Sequence, residues 1–313
     1  MSVTPRTVTS PKKFYIGKGL LGQLSEYVSD FGDNAFIISD EFILNRVKEE
    51  AVPGLNENSI KSHVEKFNYE CTKQEVQRLA ALSEENHANV IVGIGGGKTL
   101  DSAKATAYHL KLPVVLYPTI ASTDAPCTAL AVLYKEDGEF DEYLFLPQNP
   151  DAVIADMSIL SAAPARFFSA GVGDALATYF EARTCYASDG VNLVLKKPSR
   201  TGLGLAELCY TMLRENIDAA MDAIDNKIVT PALQQIVEAT IYLSGVGAEA
   251  GGYWRRRGFG NSLQGYVHQC QCVTLSCCAR APLWPSPRGA SLQKFDRITA
   301  ATAARSSVLH LLC

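Results

Sequence analysis

The residues best suited to chemistry form a glycine-rich stretch in the first third of the chain. Four glycines stand within residues 93–97, after the apolar residues Val90, Ile91 and Val92 and before Lys98. This order is typical of a buried strand that turns tightly into a helix. Glycines let backbone N–H groups approach an anion, and both the helix N-terminus and a lysine favour negative charge. The pattern favours a phosphate or dinucleotide site, with a tight turn that binds nothing as the alternative.

Two common phosphate loops are excluded by their spacing. A P-loop requires a glycine five positions before the Gly97-Lys98-Thr99 triplet, and Val92 stands there. The dinucleotide fingerprint requires a third glycine at the position of Lys98. The stretch is therefore neither an ATPase or GTPase loop nor the common dinucleotide turn.

Four further sites carry carboxylates in suggestive positions. Asp40 follows a predicted strand, so it either accepts ribose hydroxyls or caps the next helix. Asp101 lies in a first helical turn, where an acid stabilises the dipole without any ligand. The run Ser122-Thr123-Asp124 predicts either a plain turn or a site for a small polar substrate. Asp174 lies among glycines and alanines, which suggests a metal or a buried partner.

The elements expected to position these residues alternate between strand and helix as far as Asp156. Such alternation predicts a parallel sheet with helices on both faces and a ligand beyond the carboxyl ends of the strands. From Ser158 onwards the pattern is helical, with breaks at Pro164, at 197–198 and at Pro231. The predicted strands are 35–39, 59–67, 90–93, 113–117, 129–134, 143–146 and 153–156, and the predicted helices are 41–50, 72–85, 99–110, 167–186, 202–224 and 231–247.

These patterns predict an α/β fold of two domains followed by an atypical tail. The first is an N-terminal Rossmann-like parallel-sheet domain over residues 1–160, and the second is an all-helical domain over 161–252, which the family resemblance given below implies to be truncated. Of the 313 residues, 47% are hydrophobic and 20% charged, which is ordinary for a globular protein. The first residues lack the apolar core of a signal peptide, and no apolar run of about 18 residues follows. We therefore expect a cytoplasmic protein with no membrane contact.

Four longer motifs carry a resemblance to a known family. They lie at residues 93–101, 121–126, 173–183 and 229–233. With them, the sequence resembles the glycerol dehydrogenases of the iron-containing, here zinc-type, polyol dehydrogenase family over about residues 11–252. The resemblance implies NAD-dependent oxidation of glycerol to dihydroxyacetone on a zinc ion, in a homo-oligomer.

The resemblance also implies a role for each matching residue. Asp124 is expected to touch the substrate and Asp174 to bind zinc. Asp40 is expected to select the unphosphorylated adenosine ribose. The other expected cofactor contacts are Gly97, Lys98 and Asp101 at the phosphates and ribose, and Thr119, Ser122, Thr128, Leu130 and Tyr134 around the nicotinamide.

Residues 253–313 depart from this family. They hold eight basic residues and one acid, and five of the nine cysteines, whereas residues 1–252 hold 21 basic and 32 acidic residues. Arg257 stands near the place of an expected zinc histidine, and neither His268 nor His310 has a matching context. The cysteine spacing also fits a structural zinc site poorly. We expect this tail to be poorly ordered and to come from a shifted reading frame, and we expect the chain as written to bind zinc weakly and to oxidise glycerol slowly.

Three classes of function are therefore open at the level of sequence. The first is an enzyme of glycerol oxidation. The second is a catalytically inactive module that binds NAD or supports assembly. The third is a nucleic-acid binder with a basic tail, which the acidic body opposes, so that no nucleic-acid partner is predicted.

Overall fold

A computed structural model describes residues 5–251 of the chain. The predictions for residues 253–313 lie outside the described residues. They include the shifted frame, the lack of order, the cysteine spacing and Arg257 in the place of a zinc histidine.

Ten strands are present in the described part of the chain. Six of them form a parallel sheet, and the other four form two separate pairs, one parallel and one antiparallel. The strands are β1 (Arg6–Thr7), β2 (Lys13–Gly17), β3 (Asn34–Ser39), β4 (Lys61–Lys66), β5 (Val90–Gly95), β6 (Val114–Pro118), β7 (Leu130–Tyr134), β8 (Phe140–Phe145), β9 (Ala152–Asp156) and β10 (Lys197–Pro198). The parallel sheet has the order β2-β9-β6-β5-β3-β4.

The central strands are buried on both faces of the sheet. In β3, Phe36 packs into one apolar cluster and Ile37 into another, and Ile91 and Val92 of β5 divide in the same way. Successive side chains of a strand point to opposite faces, so the continuous apolar runs of β3 and β5 require cover on both sides. This burial confirms the predicted α/β fold with a parallel sheet.

The helices cover the sheet and then form a helical region of their own. Helix α5 begins directly after the glycine turn, and α7 to α10 follow the last strand of the sheet. The helices are α1 (Leu24–Val28), α2 (Leu44–Arg46), α3 (Val52–Glu57), α4 (Lys73–Glu85), α5 (Gly97–Leu110), α6 (Met157–Leu160), α7 (Ala165–Ala187), α8 (Arg200–Asp225), α9 (Pro231–Glu238) and α10 (Ser244–Gly251). In the described residues no helix is both long and apolar enough to cross a membrane.

Local capping sets the starts of several helices. Thr72 accepts a hydrogen bond from Glu75 N at 3.1 Å and begins α4, as predicted. Ser199 caps α8 and Thr230 caps α9 in the same manner. The predicted helices 167–186, 202–224 and 231–247 match α7, α8 and the α9–α10 stretch closely. The domain division at residue 160 stays a prediction.

One predicted helix differs from the structure, and one strand of the parallel sheet was not predicted. The helix predicted over 41–50 begins only at Leu44 and continues to Glu57, through a π turn at Val47–Ala51. Pro53 has no N–H group for the α-helical ladder, which accounts for irregular pairing just before it. Strand β2 was not predicted, because it lies at an edge of the sheet and carries no fully buried run.

Candidate functional site

The glycine turn lies at the carboxyl end of the sheet, between β5 and α5. Gly96 is extended and caps α5, and its N–H donates to Asp40 Oδ2 at 3.1 Å. A Cβ atom on Gly95 would lie 2.6 Å from the same oxygen, so only glycine allows Asp40 to approach this closely. Asp40 Oδ1 also accepts from Ile43 N at 3.3 Å. Asp40 therefore joins the ends of β3 and β5 at the edge where ligands bind in such sheets.

The Asp40 carboxyl group is also perturbed by its surroundings. Burial raises its pKa, and hydrogen bonds from the backbone of Gly96, Ile43 and Phe42 oppose that rise without cancelling it. Asp40 is not the N-cap of the next helix, because α2 begins at Leu44 and its N-cap residue is Ile43. It closes the turn before α2, and Oδ1 and Oδ2 each have a further lone pair that could accept from a ribose hydroxyl.

Lys98 lies at the start of α5 with its side chain partly exposed. Its ammonium group pairs with Glu70 Oε1 at 2.5 Å and lies 4.8 Å from the centre of the Tyr134 ring. Sequence reasoning missed Glu70, which stands in an irregular segment 28 residues upstream. No pattern in the sequence marks that residue.

Asp101 turns into the protein rather than towards the glycine turn. Its Oδ1 lies 2.8 Å from Lys104 Nζ, in an ion pair that is not an aligned hydrogen bond, and its Oδ2 accepts from Val132 N at 3.1 Å. Lys104 is only 1% exposed, and it also donates to Ala125 O at 2.9 Å and to Leu130 O. The carboxylate of Asp101 thus has internal partners on both oxygens. Its expected cofactor role stays a prediction.

The residues expected around the nicotinamide lie on two connected segments. Thr119 N donates to Gly95 O at 3.0 Å, which places Thr119 beside the glycine turn. Ser122 and Thr128 are buried in the loop that follows β6. Leu130 and Tyr134 share one face of β7, because they are four residues apart in a strand.

Helices α7 and α10 bring Asp124 and Asp174 together. A Cβ atom on Gly171 of α7 would lie 2.1 Å from Ala121 O, so glycine lets this helix pack directly on the loop. Asp174 Oδ2, one turn further on, accepts from Asp124 N at 3.2 Å. Ser244 at the start of α10 donates to Asp124 Oδ2 at 3.0 Å. The two carboxylates predicted from sequence therefore belong to one site.

This site brings together several carboxyl groups whose charged forms are disfavoured. Burial raises the pKa of Asp124, and the neighbouring Asp174 carboxylate raises it further. Burial likewise raises the pKa of Asp174. Glu181 is exposed to solvent, and the surrounding protein atoms raise its pKa to about 7, with a further rise from the Asp124 charge. Ser244 was not predicted as a site residue, because its contact with Asp124 spans 120 positions.

The described residues do not complete a metal site. Within residues 5–251, no group of three or more histidine, cysteine, aspartate or glutamate side chains is arranged to hold a metal ion. A catalytic zinc usually has about three protein ligands. Asp174 alone would hold such an ion weakly.

Comparisons with known proteins agree on one family. A family model described as iron-containing alcohol dehydrogenase matches residues 11–157. The chain is 47% identical over 247 residues to a glycerol dehydrogenase of Pseudomonas putida, covering 79% of this chain and 68% of the relative. It is 48% identical over 252 residues to a glycerol dehydrogenase of Thermotoga maritima, covering 79% of this chain and 67% of that protein. A crystal structure of a probable glycerol dehydrogenase from Sinorhizobium meliloti has a TM-score of 0.78 at 32% identity, covering 96% of this chain and 78% of that one.

Proposed function

The chain belongs to the iron-containing alcohol dehydrogenase family, and we propose that it acts within that family as a glycerol dehydrogenase. The reaction is the NAD-dependent oxidation of the secondary hydroxyl of glycerol to the ketone of dihydroxyacetone. The observation that carries this proposal is the juxtaposition of Asp124 and Asp174 beside the glycine turn, in a chain closely similar to glycerol dehydrogenases. The catalytically inactive module has no comparable support.

The glycine turn and Asp40 would hold the adenosine half of the cofactor. Gly97 and Lys98 lie at the N-terminus of the 14-residue helix α5, where backbone N–H groups and a positive charge favour phosphate. The Asp40 carboxylate would accept hydrogen bonds from the ribose hydroxyls and repel a ribose phosphate. This arrangement favours NAD over NADP.

The second half of the cofactor would lie along the loop after β6 and along β7. We propose Thr119, Ser122, Thr128, Leu130 and Tyr134 as its contacts. When bound, the nicotinamide ring supplies the hydride acceptor. The protein would contribute orientation, because burial fixes Ser122 and Thr128 within the loop.

Asp124 would orient the polyol. A carboxylate accepts hydrogen bonds from hydroxyl groups, and a polyol offers several. Ser244 and Thr178 support this carboxylate, since Ser244 Oγ lies 2.9 Å from Thr178 Oγ1 and 3.0 Å from Asp124 Oδ2. The side chain is therefore held from α7 and from α10 at once.

Family membership implies a metal, and we propose zinc as the ion and Asp174 as one ligand. Residues 5–251 hold no complete set of ligands for such an ion, so no step of the reaction is assigned to the metal. We further propose, from the family resemblance, that the protein is a cytoplasmic homo-oligomer. Light scattering coupled to size exclusion would measure its subunit number.

The test of this function is a comparison of turnover and binding on the chain as written, after its intact mass is confirmed. NADH formation would be followed by absorbance with glycerol, propane-1,2-diol and ethanol, with and without added zinc. We expect turnover of the polyols above ethanol, and we expect Asp124→Asn to lose turnover while still binding NADH. NADH binding without turnover of any alcohol would instead support the inactive module, and the absence of both would contradict the proposal.

A further inference from the structure

Glu70 lies outside the expected site and contacts one of its residues directly. The Lys98 cation, which the proposed function assigns to the cofactor phosphates, pairs with Glu70 Oε1 at 2.5 Å. The Tyr134 ring lies on the same cation, at 4.8 Å. Lys98 therefore has an anionic partner within the protein before any dinucleotide arrives.

The backbone holds Glu70 in this place. Glu70 lies between β4 and α4, where its carbonyl oxygen accepts from Thr72 N at 3.0 Å. The next residue, Cys71, is fully buried and accepts a hydrogen bond from Tyr134 N at 2.8 Å. The backbone of this segment is thus fixed to β7, which keeps the Glu70 carboxylate within reach of Lys98.

The carboxylate of Glu70 depends on Lys98. Its second oxygen, Oε2, is buried and has no hydrogen-bond partner in the part of the chain that the structure describes. Loss of Lys98 from Oε1 would leave a half-buried carboxylate with neither oxygen paired, which is costly for a charged group. The pair therefore resists being opened by a competing anion.

We propose that Glu70 sets the cofactor affinity of this protein by holding Lys98 and competing with the dinucleotide phosphates for its charge. The inference rests on the proposed function. Binding exchanges one partner of Lys98 for another, and release is helped when Glu70 recaptures the cation. Glu70 acts through Lys98 and is a positioning residue, since it does not itself contact the dinucleotide.

The test is a double-mutant cycle read out by NADH titration. We expect Glu70→Gln to bind NADH about two- to fivefold more tightly, as befits a partly exposed ion pair, and to dissociate from it more slowly. Lys98→Ala should bind more weakly, and adding Glu70→Gln to it should change nothing further. Glu136→Gln is the matched control, because Glu136 is an exposed carboxylate lining the same surface hollow as Glu70; its affinity should equal that of the wild type.

A second variant separates pairing from charge. Glu70→Asp keeps the negative charge but shortens the side chain by one methylene, so it should also bind NADH more tightly. Unchanged or weaker binding by both Glu70 variants, in protein shown to be folded by thermal unfolding, would overturn the inference. So would equal tightening by Glu70→Gln in the Lys98→Ala background, which would indicate general repulsion. Failure of the wild type to bind NADH at all would instead contradict the proposed function.

Discussion

Lys104 Nζ lies 2.8 Å from Asp101 Oδ1 in a part of the protein almost closed to solvent. Lysine is rarely buried unless it is paired, and here the two charges also bind the backbone of a neighbouring segment. Lys104 donates to Ala125 O, and Asp101 accepts from Val132 N. The pair thereby fixes α5 to the chain that carries the expected nicotinamide contacts.

Replacement of Lys104 by methionine should destabilise the protein strongly. The change leaves the buried Asp101 carboxylate without its counter-charge, and breaking a buried pair in this way costs about 3–5 kcal/mol. Chemical denaturation of Lys104→Met and of Lys104→Met/Asp101→Leu would measure the loss. We expect the double variant to recover much of it, because no isolated charge remains. A single variant as stable as the wild type would contradict the assigned ion pair.

Asp101→Ala distinguishes the two roles that Asp101 could have. Because both carboxylate oxygens face internal partners, we expect this variant to lose stability by an amount comparable to that of Lys104→Met. NADH affinity of the folded protein should change less than it does in Lys98→Ala. A stable Asp101→Ala protein with much weaker NADH binding would restore the direct cofactor role that the family resemblance implies.

The contrast between these residues shows what the sequence alone could establish. The glycine turn, its helix and the cap at Thr72 were predictable, because each depends on residues close together in the chain. The Rossmann-like sheet followed from the apolar runs of β3 and β5. The contact of Asp101 with Val132 N was not predictable, since the two residues are 31 positions apart, whereas Lys104 lies only three residues further along the same helix. The ion pair between Glu70 and Lys98 was likewise not predictable, because the two residues are 28 positions apart.

Asp40 should determine which dinucleotide binds. We expect tighter binding of NADH than of NADPH, because the carboxylate repels a ribose phosphate. The repulsion is at most a few kcal/mol, and it should weaken NADPH binding about tenfold or more. Asp40→Asn removes the charge and keeps an acceptor for Gly96 N, so it should reduce the difference in affinity between NADH and NADPH. Titration of wild type and variant with both dinucleotides would measure these affinities. Equal binding by the wild type, or an unchanged preference in the variant, would show that Asp40 only holds the backbone at Ile43 and Gly96.

The raised pKa of Glu181, about 7, predicts a pH-dependent stability, which solvent screening keeps small because the side chain is exposed. An acid whose pKa is higher in the folded than in the unfolded protein, where glutamate has about 4.3, favours folding most below that lower value. This contribution is lost as the pH rises towards 7. Glu181→Gln cannot ionise, so its melting temperature relative to the wild type should be higher at about pH 7.5 than at about pH 5.

Thermal unfolding of wild type and variant at the two pH values would measure this effect. Glu207→Gln on α8 serves as the control, because Glu207 is exposed and distant in sequence from the carboxylate cluster. The melting temperature of Glu207→Gln should differ from that of the wild type by the same amount at both pH values. If the melting temperature of Glu181→Gln also differs by the same amount at both pH values, then Asp124 and its surroundings do not perturb the pKa of Glu181.

Removal of metal should affect turnover and leave cofactor binding intact. If Asp174 is one ligand of a zinc ion, Asp174→Asn should lower the metal content of the purified protein, measured by mass spectrometry, and should lower glycerol turnover with it. NADH binding should stay within about twofold of the wild type, because the contacts proposed for the dinucleotide phosphates lie on α5 and the contact proposed for the adenosine ribose is Asp40. Dialysis of the wild type against a chelator should likewise lower glycerol turnover and leave NADH binding unchanged. Because residues 5–251 offer no complete set of ligands, zinc occupancy that survives Asp174→Asn would show that the ion is held by residues outside that range.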